Sequence, residues 1–319
     1  MDNKKDSDSN AHSHYHITNK NKYLKLPIYL TIPVALVIFI LVYLAFKPQD
    51  TQPKLKLQFD GERAYEDVSI QTSLGPRIPE SQAHQETISY IKSELEESGW
   101  QVEIQLTERI GHPIQNVIAS RGDGRPWIVL GAHFDTRIRA DHDPDVRNHA
   151  TPVPGANDGA SGVAVLLELG RVLPENGTKR LWLVFFDAED NGKLNGWDWI
   201  LGSQAFVDSL VEIPDAAVIV DMVGDSDLNI YQERNSDPSL TSEIWEQAAN
   251  LGYSNQFIPL LKYPMIDDHI PFVQRGIPAL VIIDFDYPYY HTTQDSLDKV
   301  SPSSLKAVGD TLLAWLLKE

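Results

Sequence analysis

The stretch WIVLGAHFDTR, residues 127–137, decides how the rest of the chain is interpreted. It opens on a continuous apolar run, which is typical of a strand buried on both faces of a sheet. It then places His133 and Asp135 two residues apart, where that strand ends. The pair is either part of a polar loop or a pair of side chains directed at a ligand, and the stretch alone leaves both interpretations open.

Three further apolar runs have the same character: RLWLVFF (180–186), AAVIV (216–220) and IPALVII (277–283). Segments with helical spacing of apolar residues separate them, for example GASGVAVLLELGRVL (159–173). Buried strands that alternate with helices indicate an α/β fold with a mostly parallel central sheet and helices on both faces. Without an internal repeat or a change of composition, residues 59–319 are expected to form one domain.

Acidic and histidine side chains follow these strands. They are His133, Asp135, Asp158, Asp187, Glu189, Asp190, Asp221 and His291. Open α/β sheets bind ligands at the carboxyl ends of their strands, so these side chains are expected in one crevice. Any one alone is adequately explained as a helix cap or turn residue. Together, so many carboxylates would repel one another unless a cation neutralised them. Nitrogen and oxygen ligands suit zinc, and more than four suggest two ions that share a carboxylate.

Six ordered motifs carry a resemblance to a known family. They are GAHFDTR (131–137), GANDGASGVAVLLEL (155–169), FFDAEDNG (185–192), DMVG (221–224), DDHIPF (267–272) and YHTTQDSLDKV (290–300). Over residues 59–319 the chain resembles the co-catalytic zinc aminopeptidases, which include secreted bacterial aminopeptidases, glutamate carboxypeptidase and the catalytically silent transferrin receptor ectodomain. Animal-type glutaminyl cyclases share their fold. The resemblance implies a zinc exopeptidase fold and a peptide substrate with a free N-terminus.

The resemblance also implies roles for individual residues. His133 and Asp221 would hold one zinc ion, Asp190 and His291 the other, and Asp158 would bridge the two. Glu189 would be the general base for attack by a water activated at the metal, and Asp135 would orient His133. The expected activity is that of a zinc metallopeptidase, and in particular an aminopeptidase. Asp190 stands where the family often has Glu.

Two alternatives remain open. In a glutaminyl-peptide cyclotransferase, which forms N-terminal pyroglutamate, Asp158, Asp190 and His291 would hold a single zinc ion. Glu189 would then move a proton from the substrate amine, with Asp221 and Asp268 assisting. Cyclases commonly carry Trp immediately before the last ligand, whereas this chain has Tyr290. The second alternative is a non-catalytic binding ectodomain, although such relatives usually lose ligands and this chain retains them.

The N-terminal part predicts membrane attachment. LPIYLTIPVALVIFILVYLAF (26–46) is uncharged over 21 residues, long enough to span a bilayer, and no cleavage site of small residues follows it. We therefore expect a polar tail (1–25), a transmembrane signal anchor and a linker (47–58). The protein would be a single-pass membrane protein whose catalytic domain lies outside the cytoplasm. The formal net charge of −18 argues against a nucleic-acid partner, and the absence of Cys excludes thiolate metal sites.

Overall fold

A computed structural model describes residues 58–175 and 177–318. The predicted tail, membrane anchor and most of the linker lie outside the described residues. Within these two ranges, no helix is both long enough and apolar enough to cross a membrane.

A six-stranded mixed sheet forms the centre of the described fold. Its strands are β1 (Gln101–Arg109), β2 (His112–Arg121), β3 (Trp127–His133), β4 (Arg180–Phe186), β5 (Ala216–Asp221) and β8 (Ala279–Ile283). They lie in the order β1-β2-β4-β3-β5-β8. The last four strands of this order run parallel, while β2 pairs antiparallel with both β4 and β1. The short strands β6 (Ile230–Gln232) and β7 (Phe257–Leu261) form a separate parallel pair.

Helices cover both faces of the large sheet. Their bounds are α1 (Gly61–Leu74), α2 (Gln82–Glu97), α3 (Ala160–Val172), α4 (Leu201–Ser209), α5 (Pro238–Asn250), α6 (Ile270–Gln274) and α7 (Pro302–Leu316). Apolar residues of α1, α2, α3, α5 and α7 join the core on one face, while those of α4 and α6 join the core on the other. The prediction of an α/β fold with a mostly parallel sheet is therefore confirmed for the described residues.

Strand β3, which contains the first part of WIVLGAHFDTR, shows why the sequences of the central strands are continuously apolar. All seven residues of β3 are buried. Ile128 and Leu130 pack into the core beneath α3, whereas Trp127 and Val129 pack into the opposite core with α4 and α6. Successive side chains of a strand point to opposite faces, so a strand covered on both sides needs apolar residues at every position.

The four parallel strands also determine where the polar residues meet. Because β3, β4, β5 and β8 run in the same direction, their carboxyl ends lie along one edge of the sheet. The segments that follow these ends carry the predicted metal-binding and catalytic residues.

Candidate metal centre

Two groups of three side chains meet at the carboxyl edge of the sheet. The first is His133, Asp158 and Asp221, and the second is Asp158, Asp190 and His291. In the first group, His133 Nε2 lies 3.1 Å from Asp158 Oδ1 and 3.1 Å from Asp221 Oδ1. In the second, His291 Nε2 lies 2.7 Å from Asp190 Oδ1 and 3.6 Å from Asp158 Oδ2. Asp158 thus links the two groups through its two carboxylate oxygens.

These distances suit a metal ion that takes nitrogen and oxygen ligands. Zinc–ligand distances of about 2.0–2.2 Å in a tetrahedron separate neighbouring ligand atoms by about 3.4 Å. Among the described residues, Asp158 Oδ2 and Asp190 Oδ2 are buried without a hydrogen-bond partner. Buried carboxylate oxygens in that state are costly unless a cation or a proton satisfies them. The donor set therefore fits zinc, and the second group offers it a free oxygen from each of its two aspartates.

Close packing holds His133 and Asp158 together at the start of α3. A Cβ atom added to Gly159 would lie 2.4 Å from the His133 carbonyl oxygen and 2.6 Å from its Cε1, so only glycine allows this approach. Asp295 fixes the same loop because its carboxylate accepts hydrogen bonds from the main-chain N–H groups of Asn157 and Asp158, at 2.8 and 3.2 Å. Tyr287 Oη also donates to Asp295, at 2.7 Å.

Asp135 connects the ends of β3 and β4. Its carboxylate lies 3.5 Å from His133 Nδ1, the atom that an orienting partner should face. It also accepts hydrogen bonds from the main-chain N–H groups of Glu189 and Asp190, at 3.0 and 3.3 Å, and from the Asn191 side chain at 3.2 Å. Asp135 is therefore placed to orient His133 and to hold the loop that carries Glu189 and Asp190.

The backbone adopts the left-handed conformation at several of these positions. The φ angle is +55° at Ala188, +44° at Met222 and +56° at His291. Each such residue costs about 1–3 kcal/mol and persists only where its surroundings enforce it. Ala188 directly precedes Glu189, Met222 directly follows Asp221, and His291 is itself a ligand candidate. Three of the eight non-glycine residues with positive φ in the described part of the chain therefore lie at or beside the candidate centre.

Two arginines lie beside the carboxylates. Arg77 is fully buried, and its guanidinium donates to the main-chain oxygens of Phe134, Pro154 and Gly155. Burial lowers the pKa of Arg77 to about 10, so it remains a cation at neutral pH. Arg137 donates to the Asp190 main-chain oxygen at 2.6 Å and forms a two-bond ion pair with the Asp141 carboxylate. Both cations offset part of the negative charge of the centre.

Burial shifts the pKa values of the acidic side chains. It raises the pKa of Glu189, Asp190 and Asp268 well above the ordinary values, and that of Asp267 to about 7. Burial also raises the pKa of Tyr290, with further contributions from Asp190, Asp158 and Glu189. A metal-free centre therefore retains protons, and binding of a divalent cation should release them.

A cavity of about 320 Å³ opens beside the second group of ligands. Its charged walls are formed by Asp158, Glu189, Asp190, Asp221 and Asp267, and its other walls by Trp199, Met222, Tyr263, Pro264, Met265, Ile266, Ile283, Phe285 and Tyr290. A volume near the lower end of the range for small-molecule sites suits a single amino-acid residue.

The structure separates neighbouring residues that the sequence does not distinguish. Asp267 lines the cavity, whereas Asp268 lies beside Ser203 and is not among the described residues that line it. Trp199 also lines the cavity, while Trp197 packs with Ala188 in a small apolar cluster.

Seven of the eight residues assigned from the sequence meet at this edge of the sheet, whereas Asp268, expected to assist catalysis, lies outside the cavity wall. The five predicted ligands and Asp135 are mutually connected by the contacts above, and Glu189 faces the cavity. Sequence reasoning did not identify Arg77, Arg137, Asp267 or Asp295. Arg137, Asp267 and Asp295 lie within the quoted motifs GAHFDTR, DDHIPF and YHTTQDSLDKV, whereas Arg77 lies outside all six.

Comparison with known proteins places this geometry in a family. The sequence profile described as peptidase family M28 matches residues 116–316. The crystal structure of a glutaminyl cyclase from Tannerella forsythia is 33% identical, with a TM-score of 0.77, and the match covers 82% of this chain and 99% of that one. A zinc-dependent exopeptidase from Parabacteroides distasonis is 31% identical, with a TM-score of 0.78 over 82% and 99% of the two chains.

A third relative is a named aminopeptidase. Aminopeptidase YwaD of Bacillus subtilis is 32% identical over 176 residues, which span 50% of this chain and 37% of that protein. The profile match covers more than half of the chain, and the two solved structures match it over nearly their whole length. Relatives named as zinc exopeptidase, aminopeptidase and glutaminyl cyclase agree with the zinc-binding donor set found at the sheet edge. The chain therefore belongs to peptidase family M28.

Proposed function

We propose that this protein is a zinc-dependent glutaminyl-peptide cyclotransferase with one zinc ion at Asp158, Asp190 and His291. The observation that carries the proposal is the cavity: beside these ligands it presents three further carboxylates, Glu189, Asp221 and Asp267. An N-terminal glutamine offers an α-amine and a side-chain carboxamide, both rich in N–H donors. A small cavity rich in carboxylate acceptors suits such a residue folded back on itself.

Glu189 has the properties that the proton transfer requires. In the reaction, the α-nitrogen lone pair forms a bond to the carboxamide carbon, and the C=O π electrons move to oxygen. Glu189 accepts the proton that the α-nitrogen loses. The C–O double bond then re-forms, the bond to the amide nitrogen breaks, and Glu189 returns the proton so that ammonia leaves. A base with a raised pKa suits both transfers.

Zinc held by the triad would supply positive charge beside the carboxamide oxygen. The chain's own contribution is to hold the substrate in its reactive conformation. Asp221 and Asp267 face the same cavity as Glu189 and can accept hydrogen bonds from the amine and from the leaving amide nitrogen. Positioning of this kind holds the α-amine close to the side-chain carboxamide of the same residue, so that the two groups react without a further loss of conformational freedom.

The coverage of the relatives does not separate the two reactions. The glutaminyl cyclase from Tannerella forsythia and the zinc-dependent exopeptidase from Parabacteroides distasonis are both matched over 99% of their length, so the choice rests on the carboxylates of the cavity.

Incubation of the full-length, zinc-loaded protein with a peptide that begins with Gln tests the proposal. We expect the product to lose the mass of one ammonia while the chain stays intact, and a peptide that begins with Asn to remain unchanged. Release of free glutamine, or an unchanged Gln peptide, would contradict cyclisation.

One observation favours an aminopeptidase as the second candidate. Asp158 belongs to both groups of ligands, as expected for a carboxylate that bridges two zinc ions. The two reactions are distinguished by metal content and product: two bound zinc ions and a released N-terminal residue would support hydrolysis. Because the tail contains HSHYH (12–16), zinc is best counted in a full-length variant with Ser at His12, His14 and His16. A non-catalytic binding ectodomain has less support, because the full donor set is present.

We also propose that residues 26–46 anchor the protein to the cell membrane, with the catalytic domain outside the cytoplasm. The support is the uncharged run of 21 residues. The full-length chain should stay with membranes after alkaline extraction, and protease added to intact cells should digest the catalytic domain. Release into the soluble fraction would contradict the anchor.

A further inference from the structure

One segment of the cavity wall has no regular secondary structure. Residues 262–269, the wall segment, connect β7 to α6 and lie in neither a helix nor a strand. They contribute five consecutive lining residues, which are Tyr263, Pro264, Met265, Ile266 and Asp267. Because main-chain groups outside helices and sheets need other hydrogen-bond partners, the position of this segment depends on contacts from elsewhere in the fold.

Glu233 holds the wall segment at two points. It follows β6 directly and is buried. Its Oε1 accepts a hydrogen bond from the main-chain N–H of Met265 at 2.8 Å, and its Oε2 lies 3.2 Å from Nε2 of the buried His269. Met265 and His269 stand two residues before and two residues after Asp267. One carboxylate therefore fixes both sides of an acidic residue that faces the cavity.

The same carboxylate is connected to the central sheet. The main-chain N–H of Asn235 and the hydroxyl of Ser236 donate to Oε2, at 2.8 and 2.9 Å. Ser236 Oγ in turn accepts a hydrogen bond from the main-chain N–H of Val281 in β8, at 3.2 Å. Burial by itself would raise the pKa of Glu233, but His269 and the hydrogen bonds from main-chain N–H groups outweigh it and lower that pKa. Glu233 is thus an ionised acceptor that links the wall segment to β8.

These contacts bear directly on substrate binding. A wall that is already in place needs no ordering when a ligand enters the cavity, so less binding free energy is lost. The wall contacts the substrate in the ground state as well as in the transition state, so its displacement should raise KM more than it lowers kcat.

We propose that Glu233 is a positioning residue that fixes the wall segment, and with it Asp267, where the cavity accepts the N-terminal residue of the substrate. The inference rests on the proposed function only in that this cavity binds an N-terminal residue. It applies equally to cyclisation and to peptide hydrolysis, since both reactions need that residue in a defined place.

The substitution Glu233→Gln keeps the size of the side chain and changes one acceptor oxygen into an NH₂ group. Because each oxygen accepts a hydrogen bond from a main-chain N–H, the NH₂ group must face a donor in either orientation. In the full-length, zinc-loaded enzyme we expect KM for a Gln-initiated peptide to rise roughly tenfold, the equivalent of one hydrogen bond of about 1.4 kcal/mol. kcat should fall by less than about threefold, and zinc content should match the wild type.

Asp67→Asn is the matched control. Asp67 is also buried and accepts hydrogen bonds from Tyr90 and Arg171, but it is not among the residues that line the cavity. D67N should therefore lower thermal stability and leave KM unchanged, whereas E233Q should change both. A KM in E233Q within about twofold of the wild-type value would overturn the assignment.

Hydrogen exchange tests Glu233 without turnover. In zinc-loaded, substrate-free protein we expect the main-chain N–H groups of the wall segment to exchange roughly tenfold faster in E233Q than in D67N, with β3 as the reference for global stability. Equal exchange of the wall segment in the two variants would overturn the assignment. If the wild type leaves Gln peptides unchanged but E233Q still shows the faster exchange, the proposed function fails and the positioning role of Glu233 stands.

Discussion

Asp295 provides a sharp test of how the fold positions Asp158. In Asp295→Asn, one acceptor oxygen becomes an NH₂ group. The main-chain N–H groups of Asn157 and Asp158 and the hydroxyl of Tyr287 all donate to the Asp295 carboxylate, so the new NH₂ must face a donor in either orientation. A buried hydrogen bond lost in this way costs about 1–3 kcal/mol. The loop that presents Asp158 to the metal loses its support at the same time.

The magnitude for metal binding follows from the same contacts. Residues that orient metal ligands typically contribute 10–100-fold in affinity, or about 1.4–2.7 kcal/mol. We expect D295N to raise the zinc Kd by that factor, measured by competition with a chelating dye in the full-length variant with Ser at His12, His14 and His16.

Asp284 is the matched control. It is also fully buried and accepts two main-chain hydrogen bonds, from Asn229 at 2.7 Å and Asp286 at 3.1 Å, but its carboxylate accepts none from a ligand candidate or a residue next to one. Its neighbours Ile283 and Phe285 line the cavity, so D284N also reports any general disturbance of that wall. D284N should lower the free energy of unfolding by a similar amount and leave zinc affinity unchanged. Equal zinc Kd values for D295N and D284N would refute the positioning role of Asp295.

Three further predictions use single substitutions. Glu189→Gln should reduce kcat by about 10²–10⁴ and leave zinc content unchanged, as measured by steady-state kinetics and metal analysis; a loss below tenfold would rule out the base. A Cβ atom at Gly192 would lie 2.1 Å from the Trp199 indole, so G192A should displace this part of the cavity wall and raise KM. In the control G309A, the new Cβ would lie 2.2 Å from the ring of Phe59, which does not line the cavity, so only stability should fall. Equal KM values for the two variants would contradict this prediction. Burial raises the pKa of Asp284 to about 7 from 3.8, so the folded state binds more protons than the unfolded state between these values. Wild-type stability relative to D284N should therefore decrease as pH rises through about 4 to 7, and parallel urea midpoints across that range would contradict it.

Much of the fold could be predicted because burial on both faces leaves a strong pattern. The apolar runs at 127–133, 180–186, 216–220 and 277–283 correspond to β3, β4, β5 and β8, with bounds that differ by at most two residues. Ser301 caps α7, since its side chain accepts a hydrogen bond from the Ser304 N–H, as is common for Ser before a helix. Helix α1 (Gly61–Leu74) has no such pattern, since Asp67 and Gln71 are as buried as Ala64 and Val68. Asp67 pairs with Arg171, and the side-chain NH₂ of Gln71 donates to two main-chain oxygens; the sequence does not reveal these partners.

The candidate centre was predictable for a different reason. Its ligands follow parallel strands, whose ends must meet whatever the details of packing. Arg77 gave no comparable signal, because it reaches the centre from a loop after α1 through three main-chain oxygens distant in sequence. Asp295 likewise acts on the main chain of Asp158, from 137 residues away. Contacts to main-chain atoms leave no residue pattern, so only the folded structure identifies them.

X-ray absorption at the zinc edge tests most directly whether the zinc ion binds at Asp158, Asp190 and His291. The sample is the full-length variant with Ser at His12, His14 and His16. With one equivalent of zinc we expect a shell of nitrogen and oxygen atoms at about 2.0–2.2 Å that contains one imidazole. The imidazole signal should persist in His133→Ala and disappear in His291→Ala. Loss of the signal in His133→Ala, with His291→Ala unchanged, would contradict the zinc site at Asp158, Asp190 and His291.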